Sequence, residues 1–238
     1  MIDLHTHILP GMDDGAKDAD ISLQMLRAQK AQGVDTVALT SHFYPSKESA
    51  DRFLRRRAEA AKVLAQAILA LPADEQKALP ELMLGAEVAW APNLAYEEGL
   101  KQMCLGKSRY MLLELPFEPW NMRMIDDIYH LYDRTGIIPV IAHLDRYQKL
   151  QKKELFGEIF ALGVPIQLGT DLLFGGFFEK RSILKLLRGG EGRFFLASDC
   201  HNLQDRKPNL GDALTVVGHK LGSAAAETLR QQADQILR

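Results

Sequence analysis

The sequence predicts an α/β fold in which parallel strands close into a distorted barrel of seven β-α units. Short apolar runs alternate with helical patterns along the whole chain, and such alternation builds parallel sheets. Six of the apolar runs end in histidine, aspartate or glutamate, and no glycine-rich phosphate loop follows the first strand. Both observations favour a barrel over the alternative, an open doubly wound sheet.

Each apolar run is assigned to one strand. The predicted strands lie at residues 1–5, 35–41, 82–88, 110–115, 138–143, 164–168 and 193–198. The carboxyl ends of parallel strands meet at one face, and α/β folds place their chemistry there. We therefore expect the polar side chains at these strand ends to converge.

Helical patterns fill the intervals between the strands. A first helix follows the first strand and ends at Gly33, whereas Gly136 and Gly163 occupy expected left-handed caps. The other predicted helices lie at 47–71, 122–135 and 152–162, with two more within 209–238. The basic run Arg55-Arg56-Arg57 is interpreted as a solvated helix face.

Length and composition indicate one domain over residues 1–238. The chain has 238 residues, is 47% hydrophobic and carries a net charge of −2, so a general nucleic-acid binder is disfavoured. The two cysteines, Cys104 and Cys200, form neither a disulfide framework nor a zinc-finger spacing. With neither a signal peptide nor a membrane-spanning stretch in evidence, we expect a cytoplasmic protein.

Histidines and carboxylates follow the strands in a pattern typical of metal ligands. His5 and His7 lie two residues apart, so a strand would direct both imidazoles to one face, and Asp199 and His201 repeat this spacing. With either Asp13 or Asp14 of the turn Asp13-Asp14-Gly15, the candidates are nine, and the other eight are His5, His7, His42, Glu87, Glu114, His143, Asp199 and His201. Nine ligands are too many for one ion and indicate two or three.

The donor types narrow the chemistry. Imidazole with carboxylate suits zinc, manganese or iron, and the lack of thiolates argues against a structural zinc site. Clustered divalent ions activate water and hold the oxygens of a phosphoryl group, which favours phosphate-ester hydrolysis. Arg146 and Arg206 follow His143 and His201 in loops, where a guanidinium can hold phosphate oxygens in a bidentate way.

These segments together resemble the polymerase-and-histidinol-phosphatase (PHP) superfamily and, within it, the capsule-type manganese-dependent tyrosine phosphatases of the CpsB/YwqE branch. The matching segments are 1–10, 13–17, 41–42, 85–87, 113–114, 141–147 and 197–202. Ser41 departs from the proline that many relatives carry before the histidine. The resemblance implies a distorted (β/α)7 barrel with three metal ions at its C-terminal face. The expected metal is Mn²⁺.

The resemblance also assigns the ligands. It places the first ion on His5, His7, Glu87 and Asp199, the second on Glu87, Glu114 and His143, and the third on Asp14, His42 and His201. It implies direct attack of metal-bound hydroxide on phosphorus, with Arg146 and Arg206 stabilising the phosphoryl oxygens. The candidate proton donors are Asp199, His42 and His201.

The implied substrate is a phosphotyrosyl protein, namely the tyrosine-rich tail of a bacterial tyrosine kinase in capsule or exopolysaccharide synthesis. Phe43, Tyr44 or the apolar loop 172–178 could pack the tyrosyl ring, although core or lid packing is an equal interpretation. The sequence leaves the oligomeric state open.

Three alternatives stay open at this point. Cys200 and Arg206 have the C-x5-R spacing of thiol-based tyrosine phosphatases, but the intervening residues lack glycine and Asp199 would raise the thiol pKa. A PHP-type enzyme could instead act on histidinol phosphate, a nucleotide or nucleic acid. A non-enzymatic, metal-stabilised regulatory or binding domain is the third.

Overall fold

The strands are all parallel and form two sheets. The computed structural model describes residues 1–189 and 193–237. The strands are β1 (Ile2–Thr6), β2 (Thr36–Leu39), β3 (His42–Phe43), β4 (Glu81–Leu84), β5 (Glu87–Ala89), β6 (Tyr110–Glu114), β7 (Ile138–Ile141), β8 (Pro165–Gly169) and β9 (Arg193–Ala197). One sheet has the order β1-β2-β4, and the other has the order β3-β5-β6-β7-β8-β9. The predicted parallel α/β class is confirmed.

Two of the predicted strands are each divided between the sheets. The predicted strand 35–41 becomes β2 and β3, and the predicted strand 82–88 becomes β4 and β5. At the breaks, the amide of Glu87 lies within hydrogen-bond reach of the carbonyls of both Thr40 and Ser41, so the ladder changes register there. A Cβ on Gly85 would lie 3.0 Å from the side chain of Leu105 and 3.1 Å from the side chain of Thr40, so these two side chains pack tightly on the glycine at the same point.

The first and last strands meet across a short seam. The amide of His7 donates to the carbonyl of Cys200, and the amide of Asp199 donates to the carbonyl of His5, both at 2.9 Å. Thr6 and Cys200 form a parallel bridge. Within residues 1–189 and 193–237, the named strand pairings do not close into one ring of seven.

Eight helices are described. They are α1 (Ala19–Ala31), α2 (Ala50–Leu69), α3 (Ala73–Lys77), α4 (Met122–Thr135), α5 (Lys153–Ala161), α6 (Phe177–Gly189), α7 (Leu210–Leu221) and α8 (Ser223–Ile236). Asp18, Ser49 and Asn121 cap α1, α2 and α4 through their side chains. Gly136 and Gly163 adopt positive φ angles of 71° and 64°, as predicted for left-handed helix ends. Within the described part of the chain, helices long and apolar enough to cross a membrane are lacking.

Arg57 corrects the interpretation of the basic run as a solvated face. Its side chain is buried and donates to the carbonyls of Gly85 and Gln102, each at 2.8 Å. The guanidinium thereby satisfies the carbonyl at the break between β4 and β5, where the ladder cannot. Arg55 is exposed and fits the prediction.

Candidate metal centre

The candidate ligands gather at the carboxyl ends of the strands, where the two sheets meet. His5 lies in β1, His42 begins β3, Glu87 begins β5 and Glu114 ends β6, whereas His143 follows β7. Asp199 and His201 follow β9, and Asp14 lies in the loop after β1. The structure thus brings all nine predicted ligands into one cluster.

The first group consists of four buried residues. Nε2 of His5 lies 3.1 Å from Oε2 of Glu87 and 3.3 Å from Oδ1 of Asp199. Nε2 of His7 lies 3.3 Å from each of the same two oxygens. The four residues can offer one ligand atom each within 4.8 Å of one another, and they are the set that the resemblance assigned to the first ion.

Glu87 links this group to the second. Its Oε1 lies 2.8 Å from Nε2 of His143, and its Oε2 lies 2.9 Å from Nδ1 of His42. The compact donor set here is His42, Glu87 and Glu114. His143, expected in this set, lies beside it with Nε2 3.6 Å from Oε1 of Glu114.

The third group is the most exposed. It contains Asp14, His42 and His201, as expected, and His7 in addition. Oδ1 of Asp14 lies 3.3 Å from Nε2 of His201 and 3.5 Å from Nε2 of His42. The Asp14 side chain is 64% exposed, so this group lies at the solvent-accessible side of the cluster.

Within the described residues, four buried ligand atoms of these groups make no hydrogen bond of good geometry, although other ligand atoms lie close to them. The four atoms are Oε2 of Glu87, Oδ1 of Asp199, Nε2 of His201 and Nδ1 of His42. Burying a polar atom without a partner costs about 1–3 kcal/mol, and buried charges are normally paired or bound to metal. Divalent cations satisfy such oxygen and nitrogen lone pairs together, so the donor set fits a polynuclear metal site.

Three of the histidines are oriented by an oxygen acceptor on the ring nitrogen that faces away from the cluster. Nδ1 of His5 contacts Oε1 of Gln167 at 3.2 Å, and Nδ1 of His7 contacts Oδ2 of Asp13 at 2.9 Å. Nδ1 of His201 contacts the carbonyl of Asp199 at 2.9 Å. Each contact keeps the proton on Nδ1 and leaves the Nε2 lone pair for a metal.

Sequence reasoning missed two of these orienting residues. The sequence pattern indicates only an ordinary turn at Asp13, yet this residue also accepts from the amides of Gly15 and His42, each at 3.0 Å. Gln167 is fully buried in β8 and also accepts from the amide of His143 at 2.6 Å. The available signal was a lone amide side chain inside the apolar run 164–168.

Burial and neighbouring charged groups shift the pKa values of the carboxyl groups in the cluster. Burial and the neighbouring Glu87 raise the pKa of Glu114 to about 7. Burial opposes ionisation of Asp199 as well, but His5 and His7 hold its pKa well below the usual range. Cation binding favours the ionised carboxylate, so loading the centre with metal would release the proton that Glu114 retains near neutral pH.

Both predicted arginines reach the centre through Asp199. Arg146 and Arg206 each donate through Nη2 to Oδ2 of Asp199, the second at 2.8 Å. Nη1 of Arg206 also lies 3.6 Å from Oδ2 of Asp14. Since both side chains are about 30% exposed, their other N–H groups remain open to an anion at the cluster.

Asp199 reaches the cluster by a turn and not by strand alternation. β9 ends at Ala197, and Asp199 has a φ of 51°, a left-handed conformation that is uncommon for a residue other than glycine. The preceding residue, Ser198, is held in place by the Asp3 carboxyl group. The amide and the hydroxyl of Ser198 donate to Asp3 at 3.1 and 2.5 Å. The predicted shared strand face for Asp199 and His201 is therefore wrong, although both residues reach the centre.

Cys200 lies on the opposite side of this segment. Its Sγ is fully buried, 3.5 Å from Nε2 of Gln29. Burial and the nearby Asp3 carboxyl raise the pKa of the thiol strongly. A thiol that is buried and protonated is a poor nucleophile, so the C-x5-R spacing carries no chemistry here.

The aromatic residues named in the sequence differ in position. Phe43 is fully buried and packs on Phe53, so it belongs to the core. Tyr44 stacks on His42 with ring centroids 5.2 Å apart. In the apolar loop, Phe174 and Phe178 are exposed, whereas Leu173 is buried.

Comparison with known proteins identifies the family. The family model for capsular polysaccharide synthesis proteins CpsB/CapC matches residues 1–238. The tyrosine-protein phosphatase YwqE of Bacillus subtilis is 30% identical over 100% of this chain and 92% of its own, and the tyrosine-protein phosphatase CpsB of Streptococcus pneumoniae is 29% identical over 96% and 94%.

Solved structures give the same relationship. A crystal structure from work on YwqE and CpsB, described as unique metal-dependent tyrosine phosphatases, superposes with a TM-score of 0.83 at 29% identity, covering 100% of this chain and 94% of the other. A β-aspartyl dipeptidase of Fervidobacterium islandicum shares only the fold, with a TM-score of 0.51, 14% identity and coverage of 96% and 69%. This chain therefore belongs to the CpsB/CapC family of capsular polysaccharide synthesis proteins.

Proposed function

We propose that this protein is a metal-dependent protein-tyrosine phosphatase. The carrying observation is a set of buried ligand atoms on Glu87, Asp199, His201 and His42. Within the described residues they make no hydrogen bond of good geometry, and they converge where a polynuclear metal site would lie. The relatives that match along the full chain are tyrosine-protein phosphatases by name, which supports the same reaction. A binding module would have no need for an open cluster of this kind.

Three divalent ions, Mn²⁺ in first place with iron or zinc as alternatives, are part of the proposal. The first would be held by His5, His7, Glu87 and Asp199, the second by Glu87 and Glu114 with His42 or His143, and the third by Asp14, His42 and His201. Bound divalent ions would supply an activated water and neutralise phosphate charge. The seam between β1 and the end of β9 supports a distorted (β/α)7 barrel, formed as one domain over residues 1–238.

The side chains around the cluster have separate tasks. Arg146 and Arg206, fixed through Oδ2 of Asp199, would hold the phosphoryl oxygens as charge builds on them. Because Asp199 is held as a carboxylate, it serves as ligand and arginine anchor and not as the proton donor. Of the other two candidate donors, His42 is 14% exposed and His201 is 1% exposed; both serve as ligands in this assignment, and the leaving phenolate itself needs little protonation.

The substrate proposed is a phosphotyrosyl protein, and specifically the tyrosine-rich tail of a bacterial tyrosine kinase in capsule or exopolysaccharide synthesis. The capsule-synthesis family match supports this context. Free, buried cysteines at 104 and 200 are consistent with a reducing compartment, so we place the reaction in the cytoplasm.

The proposal is tested by hydrolysis of a phosphotyrosyl peptide before and after metal removal. The purified protein is stripped with chelator, checked by elemental analysis and reloaded with Mn²⁺, and the phosphoserine peptide of the same sequence serves as control. We expect activity on the phosphotyrosyl peptide alone, abolished by stripping and restored by Mn²⁺. Activity that survives verified stripping refutes the metal mechanism, and faster turnover of histidinol phosphate would favour the small-molecule alternative.

A further inference from the structure

We propose that Phe117 forms the binding surface for the aromatic ring of the substrate and makes the centre select aryl phosphates over alkyl phosphates. This inference rests on the proposed phosphatase function and adds the residue that determines its specificity. Phe117 follows the ligand Glu114 by three residues in the loop after β6, and its side chain is 53% exposed. An exposed aromatic ring beside a predominantly polar cluster offers an apolar surface on which part of a ligand can pack.

The ring of Phe117 lies beside one of the candidate ligands. It stacks on the imidazole of His143, with centroids 6.0 Å apart and planes inclined by 23°. Nε2 of that imidazole contacts Glu87 and Glu114, so Phe117 borders the cluster at the second donor group. In a phenyl phosphate only the ester oxygen separates the ring from phosphorus. A phosphoryl group bound at the cluster would therefore bring the substrate ring to Phe117.

The loop that carries Phe117 is fixed by hydrogen bonds on its preceding residues. The hydroxyl of Tyr147 donates to the carbonyl of Leu115 at 2.6 Å, and the indole N–H of Trp120 donates to the carbonyl of Pro116 at 3.0 Å. Both donors are buried, and the Tyr147 ring also packs on Phe117 at 4.8 Å. The ring is thus held in place before any ligand arrives, which lowers the entropy cost of stacking.

Other aromatic side chains fit this role less well. Tyr44 stacks on His42, but Nζ of Lys47 lies 4.0 Å above its ring and occupies a face. Phe178 is 83% exposed and packs edge-on against its neighbour Phe177. Phe117 combines large exposure with direct contact to a candidate ligand.

The test measures binding of non-hydrolysable inhibitors to the Mn²⁺-loaded protein. Dissociation constants for benzylphosphonate and ethylphosphonate, measured by isothermal titration calorimetry, are compared in the wild type, Phe117→Ala, Phe117→Tyr and the control Phe178→Ala. Since aromatic pairs contribute about 0.5–1.5 kcal/mol beyond area burial, we expect Phe117→Ala to weaken benzylphosphonate binding about 2- to 13-fold. Ethylphosphonate should bind unchanged, Phe117→Tyr should retain benzylphosphonate, and Phe178→Ala should alter neither constant.

The outcomes separate this inference from the proposed function. If Phe117→Ala leaves benzylphosphonate unchanged, or weakens both inhibitors equally at the same metal content, Phe117 does not select the ring and the inference is overturned. If the metal-loaded wild type fails to hydrolyse phosphotyrosyl peptide but still binds benzylphosphonate through Phe117, the function fails while the ring site stands.

Discussion

Gln167 is predicted to strengthen metal binding although it contacts no metal position itself. Its Oε1 accepts from Nδ1 of His5 at 3.2 Å and from the amide of His143 at 2.6 Å. The substitution Gln167→Leu keeps most of the side-chain volume and removes the acceptor. The Nδ1–H group of His5 and the backbone amide of His143, both at the centre, would lose their hydrogen-bond acceptor.

Two effects of different size follow from these contacts. The buried amide of His143 left without an acceptor would cost about 1–3 kcal/mol of unfolding free energy. Loss of the residue that orients a ligand histidine typically reduces metal affinity or activity by about 10- to 100-fold. Because His5 stands in the most buried donor group, we expect weaker Mn²⁺ binding as well as lower stability.

The assay is a Mn²⁺ activation curve for phosphotyrosyl-peptide hydrolysis, with thermal unfolding measured on the same samples. Gln66→Leu on the exposed face of α2 is the matched control, since it loses the same amide at the surface. We expect the half-activating Mn²⁺ concentration to rise in Gln167→Leu and to stay constant in Gln66→Leu. A stability loss with an unchanged activation curve would refute the orienting role.

Three further predictions concern single residues. Cys200→Ala should retain metal-dependent activity and resist iodoacetamide as the wild type does; loss of turnover in a folded variant would reopen the thiol mechanism. Gly15→Ala should lower stability by about 1–3 kcal/mol or more, because a Cβ there would lie 2.1 Å from the carbonyl of His7; an unchanged melting temperature contradicts the close packing. Burial raises the pKa of Asp145 to about 6 despite a hydrogen bond from the amide of Gly169, so the folded metal-free protein binds this proton more tightly than the unfolded chain does. Its stability contribution is present below about pH 4 and is lost as pH rises to about 6, by about 2–3 kcal/mol relative to Asp145→Asn. Urea unfolding across this window would show parallel curves for the two proteins if the prediction is wrong.

The sequence predicted the site where regular strand geometry governs it. His5 and His7 flank the carboxyl end of β1, and both reach the first donor group as strand alternation requires. Asp199 also reaches the centre, but a left-handed turn places it there and not the strand alternation from which it was predicted. The periodicity of apolar residues carries no information about such a turn.

Contacts between distant segments explain most of what could not be predicted. The break between β4 and β5 depends on packing of Gly85 against Thr40 and Leu105, and on the guanidinium of Arg57. Phe117 is placed at the site by its stacking on the ring of His143, which follows a different strand. Sequence spacing records neither kind of contact.

Glu87 provides the most direct test of the account, because it belongs to the first two donor groups and its two oxygens lie next to four histidines. The measurement is bound Mn²⁺ per chain, by elemental analysis after dialysis, together with phosphotyrosyl-peptide hydrolysis, for the wild type and Glu87→Gln. The account predicts that the variant, still folded, loses bound metal and activity together. A folded Glu87→Gln protein with wild-type metal content, or with activity independent of metal, would contradict it.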